Sequence, residues 1–101
     1  MKIRILDEAS IELDEAFHYY EYEQENLGYR FIDRFKYTLS LIKVYPNGWQ
    51  QLSNKVRRCL IKSFPYGIIY QVREEEIIIV AVASLHRKPN YWTKRLKNSQ
   101  S

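Results

Sequence analysis

One cysteine, Cys59, stands in 101 residues, so no disulfide can form within the monomer and a CxxC metal clip is excluded. A reducing cytoplasm is the expected compartment for such a chain. Long apolar runs are scarce near the start: Met1 leads directly into Lys2-Ile3-Arg4-Ile5, far too short a stretch for a signal peptide or a membrane span. No membrane contact is expected. Internal repeats and low-complexity linkers are also missing, and breakers are few, with three glycines and three prolines. The most telling gap is electrostatic, since residues 7–25 contain no Lys or Arg.

What is present fits one soluble domain over residues 1–101. Hydrophobic content is 46% and charged content 28%, ordinary values for a globular protein. A chain of this length buries roughly 60–70% of its unfolded surface without disulfide or metal. The charge is segregated. Residues 7–25 hold eight acids, whereas residues 26–101 hold fourteen Lys/Arg against four acids. A field divided this way steers a polyanion or an acidic peptide toward one side of the molecule.

Hydrophobic periodicity predicts the order β-α-α-β-β-β-α. Lys2 to Leu6 alternates and reads as a short strand. Asp7 is a natural N-cap, and acids crowd the turn after it, where the helix dipole favours them. Ala9, Leu13, Ala16, Phe17 and Tyr20 recur at helical spacing up to a break at Leu27-Gly28, where glycine supplies a left-handed stop. Phe31, Ile32, Phe35, Leu39 and Ile42 stripe a second helix that Pro46 and Gly48 end. The two helices form an αα-hairpin that needs a surface to cover.

Val56 to Ile61, Tyr66 to Arg73 and Ile77 to Leu85 are rich in Val, Ile and Tyr and supply that surface as strands. Ile77 to Ala83 is apolar throughout, which predicts a central strand with both faces covered. Tyr66, Ile68, Tyr70 and Val72 are expected to face the helices, leaving Gly67, Ile69, Gln71 and Arg73 on a more polar opposite face. Pro89 marks where a short terminal helix begins. The fold class is therefore α+β: an N-terminal strand and an αα-hairpin on a four-stranded, mainly antiparallel sheet, with a short C-terminal helix.

The last strand runs into a dense group of side chains: His86, Arg87, Lys88, Tyr91, Trp92, Lys94 and Arg95. Cations and aromatics at a strand exit are suited to gripping RNA or a large partner. Arg57 and Arg58 are adjacent on a strand and point to opposite faces, so at most one joins that group. His18, on the acidic helix, reads as structural, and Cys59 as a small buried strand residue.

Several blocks carry a family resemblance. They are the pair Arg57-Arg58, the run Phe64-Pro65-Tyr66-Gly67-Ile68-Ile69-Tyr70, and Ala81-Val82 followed by Arg87-Lys88-Pro89-Asn90-Tyr91-Trp92. Ala16, Tyr19-Tyr20 and Gly28-Tyr29-Arg30-Phe31 agree in the helical half. In this order the blocks resemble the RelE/ParE superfamily, the toxin half of type II toxin–antitoxin pairs. The resemblance implies a cognate antitoxin as partner, a dimer or toxin–antitoxin hetero-oligomer, and no metal or cofactor. Two activities follow from it: ribosome-dependent cleavage of mRNA, or inhibition of DNA gyrase. The competing class is a small nucleic-acid- or partner-binding domain without toxicity.

Metal-free RNA cleavage needs a base at the 2′-hydroxyl, cations for the phosphorane and an acid for the leaving oxygen. His86, Arg87, Tyr91 and Arg58 are the candidate catalytic residues. Arg57, Arg73, Lys88, Trp92, Lys94 and Arg95 are the candidates for target contact. Two positions depart from the mRNA-cutting pattern that the resemblance implies. Gly67 stands where an arginine is expected after the tyrosine opening the third strand, and Ser84 stands where a histidine is common after the Ala-Val pair. Arg57, Arg58 or Arg73 would have to replace the missing guanidinium. His86, two residues beyond Ser84, falls on the same face by strand alternation and is expected to reach a similar place from a neighbouring register.

Overall fold

The structure is a computed structural model that describes residues 1–99, with side chains through Leu96; the last two residues of the expected 1–101 domain lie outside the described residues. Its elements run β1 (Lys2–Ile5), α1 (Asp7–Glu23), α2 (Leu27–Val44), β2 (Gln50–Ser53), β3 (Val56–Ile61), β4 (Tyr66–Arg73), β5 (Glu76–Ser84) and α3 (Thr93–Ser99). The α+β class and the order of elements hold. The sheet gains a fifth strand, β2, and its order is β1-β5-β4-β3-β2. β1 pairs parallel with β5 and the other neighbours are antiparallel.

The αα-hairpin is closed by a carboxylate instead of a glycine. α1 starts without a side-chain cap: Leu6 takes the N-cap position and Asp7 is the first helical residue, so the acid acts through the dipole alone. The chain turns at Asn26, which adopts the left-handed conformation (φ 72°). Gly28 lies inside α2, and its missing side chain serves packing. A Cβ there would stand 2.5 Å from the Phe17 carbonyl oxygen and 2.9 Å from Glu21 Cβ. Glu21 accepts the backbone N–H groups of Asn26 and Gly28, each at 2.9 Å, satisfying donors that a helix start leaves open.

On one sheet face Phe31, Phe35 and Ile42 from α2 and Ala9 and Ala16 from α1 meet Cys59, Ile61, Ile68, Tyr70, Ile77, Ile79 and Val82. Each large side chain buried here contributes about 1.5–3 kcal/mol relative to exposure. The predicted inward set of β4 does face the helices. The opposite face is not the polar surface expected. Val56, Ile69, Ile78, Val80, Ala81 and Ala83 form a second apolar cluster, closed by Trp92 with Tyr91 and Leu96 at its margin. Residues 85–96 thus lie back over the sheet and turn a single-faced sheet into a three-layer one.

β5, an interior strand of the sheet, carries a bulge that its uniform apolar sequence conceals. Ile69 pairs with Ala81 and Tyr70 with Ile79, so Val80 is the additional residue. Val80 and Ala81 consequently both face the second cluster, and the alternation changes phase before Val82.

Candidate functional site

The site is built where β5 outruns its neighbour. β1 ends at Ile5, opposite Ile79, and Leu6 N makes the last backbone bond to β5 at the Ile79 carbonyl. Past that point the edge of β5 needs other partners. Glu12 Oε1 accepts the N–H of Val82 at 3.0 Å, and Arg95 Nη1 donates to the Val80 carbonyl at 3.1 Å.

Glu12 is 8% exposed and gathers the strand-exit cluster around it. Arg95 grips it with both arms, Nη1 to Oε1 at 2.8 Å and Nη2 to Oε2 at 3.1 Å. The Tyr91 hydroxyl donates to Oε2 at 2.6 Å, and Arg87 Nη1 approaches the same oxygen at 3.5 Å. The Arg87 guanidinium stacks 3.8 Å from the Tyr91 ring centre, with that of Arg95 5.2 Å from it. Burial, reinforced by the bond to Glu12, pushes the Tyr91 phenol well above its ordinary value. Burial alone would lower Arg95, but its bonds and charge attraction to Glu12 outweigh that and raise it.

On the second sheet face, a pocket of about 150 Å³ opens between the strands and the returning segment. Arg58, Arg87 and Lys88 supply cations to its wall, and Ile69, Tyr91 and Trp92 supply its apolar part. Gly67 shapes this ground. A Cβ there would lie 3.0 Å from both Cγ and Cδ of Arg58, so the missing side chain leaves room for the arginine stem. Arg58 Nη2 donates to Gln50 Oε1 at 2.7 Å, while its Nε is buried and bonds nothing among the described residues. Arg87 also lines a neighbouring pocket of about 250 Å³ with Glu12, Glu15, Tyr19, Tyr66 and Ser84, and so stands between the two.

The structure therefore brings together Arg58, Arg87, Lys88, Tyr91 and Trp92. Trp92 is 5% exposed, and its contribution is to seal the second cluster. Arg95 joins the group but points inward. Others lie elsewhere. Arg57 occupies the helix-facing side of β3 and donates to the Trp49 carbonyl at 2.8 Å. Arg73 sits at the far hairpin beside Arg4, Glu74 and Glu76. Lys94 is exposed on α3. β5 stops at Ser84, and Leu85 and His86 form a turn in which His86 N bonds Ser84 Oγ at 3.2 Å. Strand alternation hence does not carry the imidazole to the position of Ser84, and His86 remains exposed. α3 begins at Thr93, four residues after Pro89, because Asn90 first turns through a left-handed conformation (φ 65°).

Glu12 is the functional candidate that motif reading missed. Its one sequence signal is an acid at helical spacing between Ala9 and Ala16, on the stripe that must be buried. Tyr70, expected in the core, is there and donates to the Pro46 carbonyl at 2.6 Å. Cys59 is buried, and burial pushes its thiol up to about 11, far from a reactive thiolate. Among the described residues no three His, Cys, Asp or Glu side chains gather as a metal-binding group, and no helix is long and apolar enough to cross a membrane.

Comparison with known proteins agrees with this architecture. No curated protein matches the chain. A solved structure described as a chromosomal ParDE TA system from P. aeruginosa superposes with a TM-score of 0.61 at 16% identity, covering 83% of this chain and 95% of that one. That likeness speaks to the fold. Residues 3–91 match the family model described as the ParE toxin of the type II toxin–antitoxin system parDE. The match takes in α1 and α2, β1 from Ile3 onward, the other four strands and the cluster as far as Tyr91. The chain belongs to the ParE toxin family, the toxin component of type II toxin–antitoxin systems, and that membership implies a cognate antitoxin as its partner.

Proposed function

We propose that this toxin acts in the cytoplasm by binding, with DNA gyrase as its target, and that it does not cut RNA. The observation that carries the reading is the commitment of Tyr91 and Arg95 to Glu12. A phenol that donates to a buried carboxylate, with its pKa raised, is a poor proton acceptor at neutral pH. His86 is exposed in a turn, and no side-chain hydrogen bond among the described residues orients it. Gly67 contributes no guanidinium to a phosphorane. What is left facing outward is a binding surface: Arg87 and Lys88 beside a pocket that Arg58 lines. Cations of this kind meet carboxylates or phosphates of a large partner, with Arg87 able to do so in bidentate fashion. The antitoxin would neutralise the protein by covering part of the same basic side.

The test gives the purified protein, in separate reactions, to gyrase with relaxed plasmid and to ribosomes programmed with mRNA. Loss of supercoiling with intact mRNA is expected, and Arg87→Ala should weaken the inhibition by about 10- to 100-fold, as for a lost charge-assisted contact. The joint presence of Arg58, Arg87 and Lys88 at one pocket also suits a phosphate clamp for mRNA. Cleavage at the ribosomal A site with gyrase untouched would overturn the proposal in favour of that reading. Absence of growth arrest on expression would favour the non-toxic binding domain.

A further inference from the structure

Glu12 spends its two oxygens unequally. Oε1 takes the Val82 amide and one arm of Arg95, which is what closing the β5 edge requires. Oε2 takes the second arm of Arg95 and also reaches Tyr91 and Arg87, two groups that the edge does not need. The Arg87 side chain is 53% exposed and has several rotatable bonds, yet its guanidinium is stacked at 3.8 Å on the Tyr91 ring. Arg95 approaches the same ring, so two like charges share one aromatic partner. Such a pair repels unless an anion lies between them, and the Glu12 carboxylate contacts both guanidinium groups.

We propose that Glu12 is a positioning residue for Arg87. By holding the Tyr91 hydroxyl and neutralising Arg95, it fixes the ring on which Arg87 stacks and so aims that cation outward between the two pockets. The inference rests on the reading that Arg87 contacts the toxin's target. Its chemical content is preorganisation: a guanidinium held in one orientation has less freedom to lose when it meets an anionic partner. Lys88, which has no aromatic partner of this kind among the described residues, would contribute charge without direction.

Glu12→Gln keeps the shape and places a neutral amide where five donors now converge. Tyr91→Phe keeps the ring and removes only the hydroxyl bond, leaving Oε1 with Val82 and Arg95. Two readouts are taken on the full chain. The first is the NMR shift of the Arg87 side-chain protons in the free protein, which the Tyr91 ring moves upfield. The second is the expression level at which growth arrest sets in, normalised to folded protein. Glu12→Gln should return the Arg87 shifts toward free-arginine values and weaken arrest about 10- to 100-fold, the scale of a lost charge-assisted bond. Tyr91→Phe should move both in the same direction by less.

The double variant Glu12→Gln/Arg87→Ala should arrest growth no more weakly than Arg87→Ala alone, because the two act through one cation. A purely structural Glu12 would weaken the Arg87→Ala background by its full factor, and that result overturns the proposal. Unchanged Arg87 shifts in folded Glu12→Gln overturn it too. If Glu12→Gln does not fold, unchanged shifts in Tyr91→Phe do the same. Full arrest by Arg87→Ala removes the premise and the proposal with it. Failure of the gyrase reading shows separately, as a wild-type protein that arrests growth and leaves supercoiling intact.

Discussion

Replacing Trp92 and Arg87 in turn separates what holds the cationic segment in place from what it presents. Trp92 is 5% exposed and seals the cluster of Val56, Ile69, Ile78, Val80, Ala81 and Ala83. Truncating a buried Trp to Ala costs about 3–5 kcal/mol, part of it from the cavity left behind. A domain of this size has only about 5–15 kcal/mol in total. With roughly 4–8 °C of melting temperature per kcal/mol, Trp92→Ala should melt on the order of 15–30 °C lower and lose growth arrest as well.

Arg87 is half exposed, its contact to Glu12 is 3.5 Å, and its ring contact is a surface cation–π pair. Such an ion pair is worth about 0–1 kcal/mol and the stacking about 0.5–1 kcal/mol. Arg87→Ala should therefore melt only roughly 2–16 °C lower, less than Trp92→Ala, while needing about 10- to 100-fold more protein to arrest growth. Circular dichroism melts, run beside induced-expression growth curves, decide the matter. Equal and negligible shifts for the two variants would mean that residues 85–96 do not close the second sheet face, and the placement of the site would fall with that.

Gly28→Ala weighs two opposing effects. Alanine gains up to about 1 kcal/mol in helix propensity, but overpacking costs about 1–3 kcal/mol, and the nearest atom, the Phe17 carbonyl oxygen at 2.5 Å, is backbone that cannot swing aside. A lowered urea midpoint is expected, and a raised one would refute the packing account. High pH should also weaken the fold. Burial pushes Cys59 up to about 11 and Tyr70 up to about 12, with Tyr91 raised as well, so the folded protein keeps protons that the unfolded chain releases near 9–10. The stabilisation is complete below about pH 9 and falls as pH rises through these folded values. Urea midpoints taken from pH 8 to pH 11 should decline, and a flat or rising series would contradict it.

Where one residue pattern has one structural solution, the sequence discloses the fold. Phe31, Phe35 and Ile42 at helical spacing had to cover something, and Tyr66, Ile68 and Tyr70 at strand spacing had to face it. β2 was not legible, because Gln50-Gln51-Leu52-Ser53 holds one apolar residue and becomes a strand through the edge that β3 offers. The bulge at Val80 was hidden by its setting, since a run apolar from Ile77 to Ala83 contains no alternation to be interrupted. At the site, the cluster from Arg87 to Trp92 was legible as a group, and the opposite directions of Arg57 and Arg58 followed from strand geometry. The inward turn of Arg95 was not, because its partner lies 83 residues earlier on a different element. At Gly67 the sequence discloses the missing arginine but not which of Arg57, Arg58 and Arg73 lies beside it. The Arg58 stem occupies that ground because it lies diagonally across the β3–β4 strand pair.

The length mismatch between β1 and β5 accounts for why the fold and the cationic surface depend on one carboxylate. β1 has four residues and β5 nine, so β5 extends past its parallel neighbour by about two bonding positions. A longer β1 would satisfy Val82 and Val80 with backbone and leave Glu12 no amide to accept. Because β1 stops short, a side chain from α1 and another from the terminal segment complete the ladder, and that completion carries residues 87–95 to the edge. α3 is seven residues long, well below the length at which an isolated helix is stable in water. Its order must come from these tertiary ties, chiefly Arg95 to Glu12 and Trp92 in the second cluster. The cations that face outward are thus held by a defect in the sheet, and their orientation follows from where β1 ends.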